Sequence, residues 1–260
     1  MEVYQSETGS LIHGDCLEAM KDIPDHSVDM VCCDLPYQVT SCDWDVMLPM
    51  DALWEAYRRI CKPTAAIVLF GAEPFSSKVR LSNPEWYRYD YTWVKTKSSG
   101  FQNAHRQPMR KHENIMVFYA KQPVFHQQHL VELEKPVESG RKRLRNDEQH
   151  RLGVAGKEHK TTHTGWQTSV LEFPNPSGKG HLHPTQKPLP LIQYLIRMYS
   201  DEGGVVLDNT CGSGTTAVAA IREHRRWLCM EKDEKYYSIA KERIISETRQ
   251  TEIVWDKPTK

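Results

Sequence analysis

The strongest constraint on the fold is a series of short apolar runs, most of which stop at an acid or a glycine. Ser10-Leu11-Ile12-His13 ends at Gly14-Asp15, and Val28-Asp29-Met30-Val31-Cys32-Cys33 ends at Asp34. Ala65 to Phe70 ends at Gly71, Gly204 to Leu207 at Asp208, and Trp227 to Met230 at Glu231. Tyr89 to Val94 ends at Lys95, and a seventh run covers Glu113 to Tyr119. Several runs are continuous rather than alternating, which is the pattern of strands covered on both faces. Helical periodicity lies between them. It predicts helices over Cys16–Ile23, Leu189–Tyr199, Thr215–Glu223 and Glu234–Thr248, and over Met50–Cys61, which stops before Pro63. Strand and helix alternate toward both ends of the chain, so the expected class is α/β, with a mostly parallel sheet and helices on both faces. Residues 121–181 show no clear period and are rich in Lys, Arg, His, Gln and Gly. A loop of that length without a function is unusual in a compact domain, so an inserted lobe is expected there, between 1–120 and 182–260.

Composition narrows the class further. No apolar run approaches the roughly 20 residues of a membrane span, and the start has no basic segment followed by an apolar one, so no secretory signal is expected. The seven cysteines are odd in number and form no C-x-x-C pair, so a zinc site is not expected. A reduced, cytoplasmic protein follows. Lys and Arg total 34 and Asp and Glu total 34, a formal net charge of zero that at first argues against a nucleic-acid partner. The average hides a division. Residues 1–77 carry 13 acids and 4 bases (−9), residues 78–165 carry 9 and 17 (+8), and residues 166–260 carry 12 and 13 (+1). The basic block is densest at Arg141, Lys142, Arg143 and Arg145, which read either as a solvated loop or as a phosphate-contacting surface.

Three constellations carry chemistry. In the first, an apolar run enters Asp208-Asn209-Thr210-Cys211-Gly212-Ser213-Gly214 and then a helix of small residues starting at Thr215. Glycines allow close backbone approach to a ligand, and a helix start offers free N–H groups. The spacing is neither a dinucleotide fingerprint nor a phosphate loop. The second is Glu231, which ends the next run 23 residues after Asp208, where an acid can accept hydrogen bonds from two ribose hydroxyls. The third is Asp34-Leu35-Pro36-Tyr37. It joins a carboxylate, a carbonyl ahead of a rigid proline and an aromatic face, a set suited to a planar base bearing an exocyclic amine.

Together these residues resemble the S-adenosylmethionine-dependent DNA amino-methyltransferases, which pair a D/N/S-P-P-Y/F/W active-site motif with a D/F-x-x-x-G-x-G cofactor loop. With the active-site motif first, the cofactor loop last and the basic block between, the order resembles the beta group. Ile12-His13-Gly14-Asp15-Cys16, Ser41-Cys42-Asp43-Trp44-Asp45 and His183-Pro184-Thr185-Gln186-Lys187-Pro188 are similar to further family segments. Glu73 to Ser77 and Pro108 to Asn114 are similar to small phage and prophage members. The resemblance covers about 1–120 and 182–250. It implies a Rossmann-like fold with a seven-stranded sheet, a catalytic half at 1–120, a target-recognition lobe at 121–181 and a cofactor half at 182–260. The implied catalytic set is Asp34, Leu35, Pro36 and Tyr37. Asp15 and Cys16 would meet the cofactor adenine, and His183, Thr185 and Lys187 would lie beside its methionine part. Asp208, Thr210, Cys211, Gly212, Ser213, Gly214, Thr215 and Glu231 complete the cofactor set. Lys95, Lys97 and Arg106 would line a DNA cleft, with Arg141, Lys142, Arg143 and Arg145 on phosphates.

The activity implied is methyl transfer to the N6 amine of adenine in double-stranded DNA, because Asp opens the motif; Ser there goes more often with N4 of cytosine. Asp34 and the Leu35 carbonyl would accept the two N–H bonds of the amine, and Tyr37 would stack on the flipped base. No metal is expected. The motif departs from the family at Leu35, where Pro is usual, which keeps the carbonyl and loosens the loop. An N4-cytosine methylase, an RNA adenine methylase and a catalytically inactive DNA-binding module are the alternatives. A homodimer and a restriction endonuclease encoded nearby are the further partners that the resemblance admits, in a bacterial or phage-infected cell.

Overall fold

The computed structural model describes residues 1–37, 47–139, 159–176 and 186–255. Among them the strands, numbered along the chain, are β1 (Glu2–Gln5), β2 (Gly9–His13), β3 (Val28–Cys33), β4 (Cys61–Gly71), β5 (Tyr87–Ser99), β6 (Arg110–Phe118), β7 (Val131–Ser139), β8 (His159–Thr164), β9 (Val170–Glu172), β10 (Val205–Asp208) and β11 (Arg226–Glu231). The helices are α1 (Cys16–Met20), α2 (Met50–Ile60), α3 (Phe75–Ser82), α4 (Leu189–Tyr199), α5 (Thr215–Arg222) and α6 (Glu234–Trp255). The chain divides into two compact units, one of Met1–His126 with Ser169–Lys260 and the other of Gln127–Thr168.

The first unit is built on one sheet in the order β1-β2-β11-β10-β3-β4-β6-β5-β9. Strands β2, β11, β10, β3 and β4 are parallel neighbours, and β6 runs antiparallel to both β4 and β5. All seven apolar runs of the sequence are strands in this sheet. The sheet has nine strands rather than the expected seven, because β1 pairs antiparallel with β2 and β9 pairs parallel with β5. Both additions are edge strands of three or four residues, too short for apolar patterning to reveal.

The inner strands alternate between two apolar layers. Met30, Cys32, Ala66, Val68 and Phe70 face the layer that contains residues of α4, α5 and α6. Val31, Cys33, Ile67 and Leu69 face the layer of α1, α2 and α3. Burial on both faces explains the continuous apolar runs. Helix α2 places Leu53, Trp54, Tyr57 and Ile60 on its buried stripe. Helix α3, which the sequence reading left out, buries only Phe75, Ser76 and Val79, too few to announce a period.

Connectivity then fixes where a ligand can bind. From β10 the chain crosses through α5 to β11 on one side, and from β3 through α2 to β4 on the other. Strand order therefore reverses between the adjacent parallel strands β10 and β3, and such a reversal leaves a crevice beyond their carboxyl ends. The register pairs Leu207 with Val31, so Asp208 and Asp34 emerge at the same end of the sheet.

The second unit is an antiparallel pair, β7 with β8, whose register shifts between Glu132 and Val137. Gly165 closes it at φ +78°, where an added Cβ would sit 1.9 Å from the His129 carbonyl oxygen. This unit is narrower than the expected lobe of 121–181. Residues 169–176 belong to the first unit because β9 adds to β5, and His126 belongs there because its N–H donates to the Met198 carbonyl at 2.9 Å. Arg141, Lys142, Arg143 and Arg145 lie outside the described residues. No described helix is long and apolar enough to cross a membrane.

Candidate active site

The loop after β10 is held by Asp208. Its Oδ1 accepts the Thr210 N–H at 3.2 Å and its Oδ2 accepts the Thr216 hydroxyl at 2.5 Å. Burial raises the Asp208 carboxyl to about 6 against these two hydrogen bonds. Asn209 accepts from the Tyr57 hydroxyl at 2.6 Å, which ties the loop to α2. Gly214 adopts φ +74°, and a Cβ there would approach the Ala240 Cβ of α6 to 3.1 Å, so the backbone conformation and the helix contact both require glycine. Arg243 of α6 donates to the Ser213 carbonyl at 3.1 Å and to the Thr215 hydroxyl at 2.9 Å. Asp208 and Gly214 thus shape the loop.

Glu231 at the end of β11 accepts the Gly212 N–H on Oε2 and the Asp233 N–H on Oε1, each at 2.8 Å. Burial nevertheless pushes its carboxyl up to about 7. Asp15 caps α1 through the Leu17 N–H at 3.0 Å and pairs with Lys232 at 3.2 Å. Asp15 and Glu231 both line a cavity of about 480 Å³. Its apolar wall comes from Leu35, Leu48, Phe70 and Ile192 among others, and the loop residues Thr210 to Ser213 form its floor.

Asp34 lines the same cavity. Its backbone carbonyl accepts the Thr210 hydroxyl at 3.1 Å, a direct bond between the two loops that flank the strand-order reversal. Its carboxylate is engaged on both oxygens, by the Tyr37 hydroxyl on Oδ1 and by the Lys187 ammonium on Oδ2. The Tyr37 ring stacks on Phe75 with centroids 4.6 Å apart, and Lys187 lies over the rings of Phe70 and Tyr37. Lys187 is also 3.4 Å from Glu113, and Glu113 pairs with Lys95. Burial raises the Asp34 carboxyl, Lys187 opposes that, and Glu113 adds to it. Leu35 is 3% exposed and packed in the α1–α3 layer, so a buried side chain anchors the loop where the family's proline would stiffen it.

The cavity gathers Asp15, Cys16, Asp34, Leu35, Pro36, Tyr37, Lys187, Asp208, Thr210, Cys211, Gly212, Ser213, Thr215 and Glu231. Gly214, expected in the cofactor set, does not line the cavity and instead shapes the loop. Lys187 lines the cavity and is bonded to Asp34. Lys95, expected on DNA, is 7% exposed and neutralised by Glu113. Lys97 and Arg106 are exposed. His183, Thr185 and Ser41 to Asp45 lie outside the described residues. Sequence reading missed Glu113, whose only signal is a carboxylate near the start of an otherwise apolar run. Among the described residues no group of three or more His, Cys, Asp or Glu is arranged to hold a metal ion.

A family model described as DNA methylase matches residues 28–242. The type II methyltransferase M.HpaI of Haemophilus parainfluenzae is 25% identical over 247 residues, 91% of this chain and 74% of that protein. Among solved structures, the PvuII DNA methyltransferase (cytosine-N4-specific) superposes with a TM-score of 0.68 at 18% identity, covering 96% of this chain and 92% of that one. The M1.HpyAVI–SAM complex superposes with a TM-score of 0.62 at 21% identity, covering 90% and 98%.

Proposed function

The chain belongs to the DNA methylase family, and from that premise we propose that it methylates the N6 amine of adenine in double-stranded DNA. The observation that carries this reading is that the Asp34-Leu35-Pro36-Tyr37 segment lines the same cavity as the glycine loop, to which Asp34 is bonded through Thr210. An exocyclic amine delocalises its lone pair into the ring and is a poor nucleophile. Asp34 and the Leu35 carbonyl accept its two N–H bonds, which pulls the nitrogen toward tetrahedral geometry and returns the lone pair to it. Holding the nitrogen in line accounts for much of the acceleration, since fixed orientation is worth up to about 7–11 kcal/mol. Tyr37 turns its ring onto the extruded base and offsets part of the few kcal/mol lost on unstacking.

S-adenosylmethionine supplies an electrophilic methyl group on a sulfonium centre. The lining suits it: Asp15 and Glu231 are acceptors for amine and hydroxyl donors, and apolar side chains face the remaining space. Glu231 holds the ribose hydroxyls and Asp15 the adenine end. Asp208 acts one step away by holding the loop whose Gly212 N–H meets Glu231.

Asp at the head of the motif favours adenine, while the likeness to a cytosine-N4-specific enzyme makes N4-cytosine methylation the second reading. Incubation with methyl-labelled cofactor and duplex DNA, followed by nucleoside analysis, separates them. Label is expected in N6-methyldeoxyadenosine; label in N4-methyldeoxycytidine would reverse the assignment of the base.

A further inference from the structure

Beneath the active-site motif, Asp34, Lys187, Glu113 and Lys95 form a line of alternating charge. Their side chains are 20%, 6%, 13% and 7% exposed, in that order. The end of β3, the segment before α4, β6 and β5 each supply one member. The four charges sum to zero, so the line is internally neutral. Its middle is asymmetric. Glu113 Oε1 pairs with Lys95, whereas Oε2 is buried and accepts no hydrogen bond among the described residues, although the Lys187 ammonium stands 3.4 Å away. A buried carboxylate oxygen without a hydrogen bond is an unfavourable state. Here it is also an open acceptor within a short slide of Nζ.

We propose that Lys187 is a positioning residue shared by two carboxylates: it keeps Asp34 ionised and aimed in the free enzyme, and moves onto Glu113 Oε2 when Asp34 accepts the target amine. This rests on the reading of Asp34 as the amine acceptor. In the free site Tyr37 and Lys187 each donate to one Asp34 oxygen, so an arriving amine competes with them for that carboxylate. A displaced ammonium in so buried a place needs another anion, and Glu113 is that anion. The groups around Asp34 explain why a cation is needed at all. Asp208 on β10, Glu113 on β6, Cys32 and Cys33 on its own strand and Tyr37 on its own loop are all acidic or neutral. Burial and the neighbouring carboxylates favour the protonated carboxyl, which would lose acceptor capacity toward the amine. Lys187 is the cation that touches it.

The test follows the titration of Asp34 by ¹³C carboxylate NMR in the cofactor-free protein, alongside the pH profile of kcat. Lys187→Met should raise the Asp34 midpoint and the acid limb of kcat by about one pH unit or more. Its Kd for S-adenosylmethionine, measured by calorimetry, should stay within about twofold of wild type, since the role assigned to Lys187 is toward Asp34 and Glu113. Lys187→Arg should restore the limb. Glu113→Gln should lower the Asp34 midpoint and reduce kcat with little change in the KM for DNA, because the ammonium loses its second anion. Should Lys187→Met not fold, Lys187→Arg and Glu113→Gln decide. Where the wild-type protein methylates DNA, an Asp34 midpoint that Lys187→Met and Glu113→Gln leave unmoved would overturn the shared lysine alone, as would lost cofactor affinity in Lys187→Met with an unmoved limb. Wild-type protein that methylates no amine would instead overturn the reading of Asp34 beneath it.

Discussion

Glu231 shows how a single residue couples the fold to ligand binding. Two backbone N–H groups stabilise its carboxylate, yet burial outweighs them and raises the carboxyl from 4.5 to about 7. A raised carboxyl favours the folded state while protonated. Its stabilising contribution is therefore complete below about 4.5 and lost as pH rises through about 7. In the proposed role of Glu231 the ribose hydroxyls bind its ionised form, so affinity for S-adenosylmethionine should rise as pH passes through about 7, with proton release below it. Calorimetry in buffers of different ionisation enthalpy measures both. Glu231→Gln should flatten the profile and weaken binding by roughly 10-fold or more, the value of hydrogen bonds to a charged group. A Glu231→Gln variant that keeps the wild-type profile would remove this residue from the ribose. Asp34 and Glu231 were legible in the sequence because each terminates an apolar run, where a strand must end and expose its next side chain. The partner of Asp34 was not legible. Lys187 is 153 residues away, and only strand order brings the two together. Glu113 was hidden for the complementary reason, that a carboxylate near the start of a strand reads as its solvated beginning.

At the scale of elements, the glycine loop and α6 depend on each other. Gly214 needs both its left-handed conformation and the space beside Ala240, whereas Gly203, at φ +76°, has no atom within 4 Å of an added Cβ. Gly203→Ala should therefore cost only the conformational term, about 1–2 kcal/mol. Gly214→Ala should cost more and also weaken cofactor binding, because α6 must shift against Arg243 and the loop it holds. Urea unfolding midpoints of the two variants test this, and equal losses would contradict it. The sequence revealed the inner elements since burial on both faces leaves continuous apolar runs and a clear helical stripe. It missed β1, β9 and α3 because edge strands and a lightly buried helix leave short or mixed patterns. The Leu35 departure also reads differently with the fold in hand, for packing supplies the anchoring that a second proline would otherwise give.

For the whole molecule, a net charge of zero coexists with a basic middle block, whose proposed partner is the DNA backbone. Among its described members the exposed Arg106 and Lys97 are the candidates, and Lys95 is withdrawn by its pairing with Glu113. Arg106→Gln should lower the slope of log affinity against log salt by about 1. Lys95→Met should leave the slope unchanged and lower stability, since it removes the hydrogen-bonded cation of a buried carboxylate. Fluorescence anisotropy with a duplex at several salt concentrations reads the slopes, and a changed slope in Lys95→Met would return that residue to the interface. The central claim is that Asp34 acts on the amine and leaves the cofactor to the neighbouring glycine loop. Asp34→Ala tests it most directly, with methyl transfer and S-adenosylmethionine affinity measured on the same folded preparation. Transfer should be abolished while the Kd stays near wild type. Transfer that persists, or a folded variant that loses both, would contradict it.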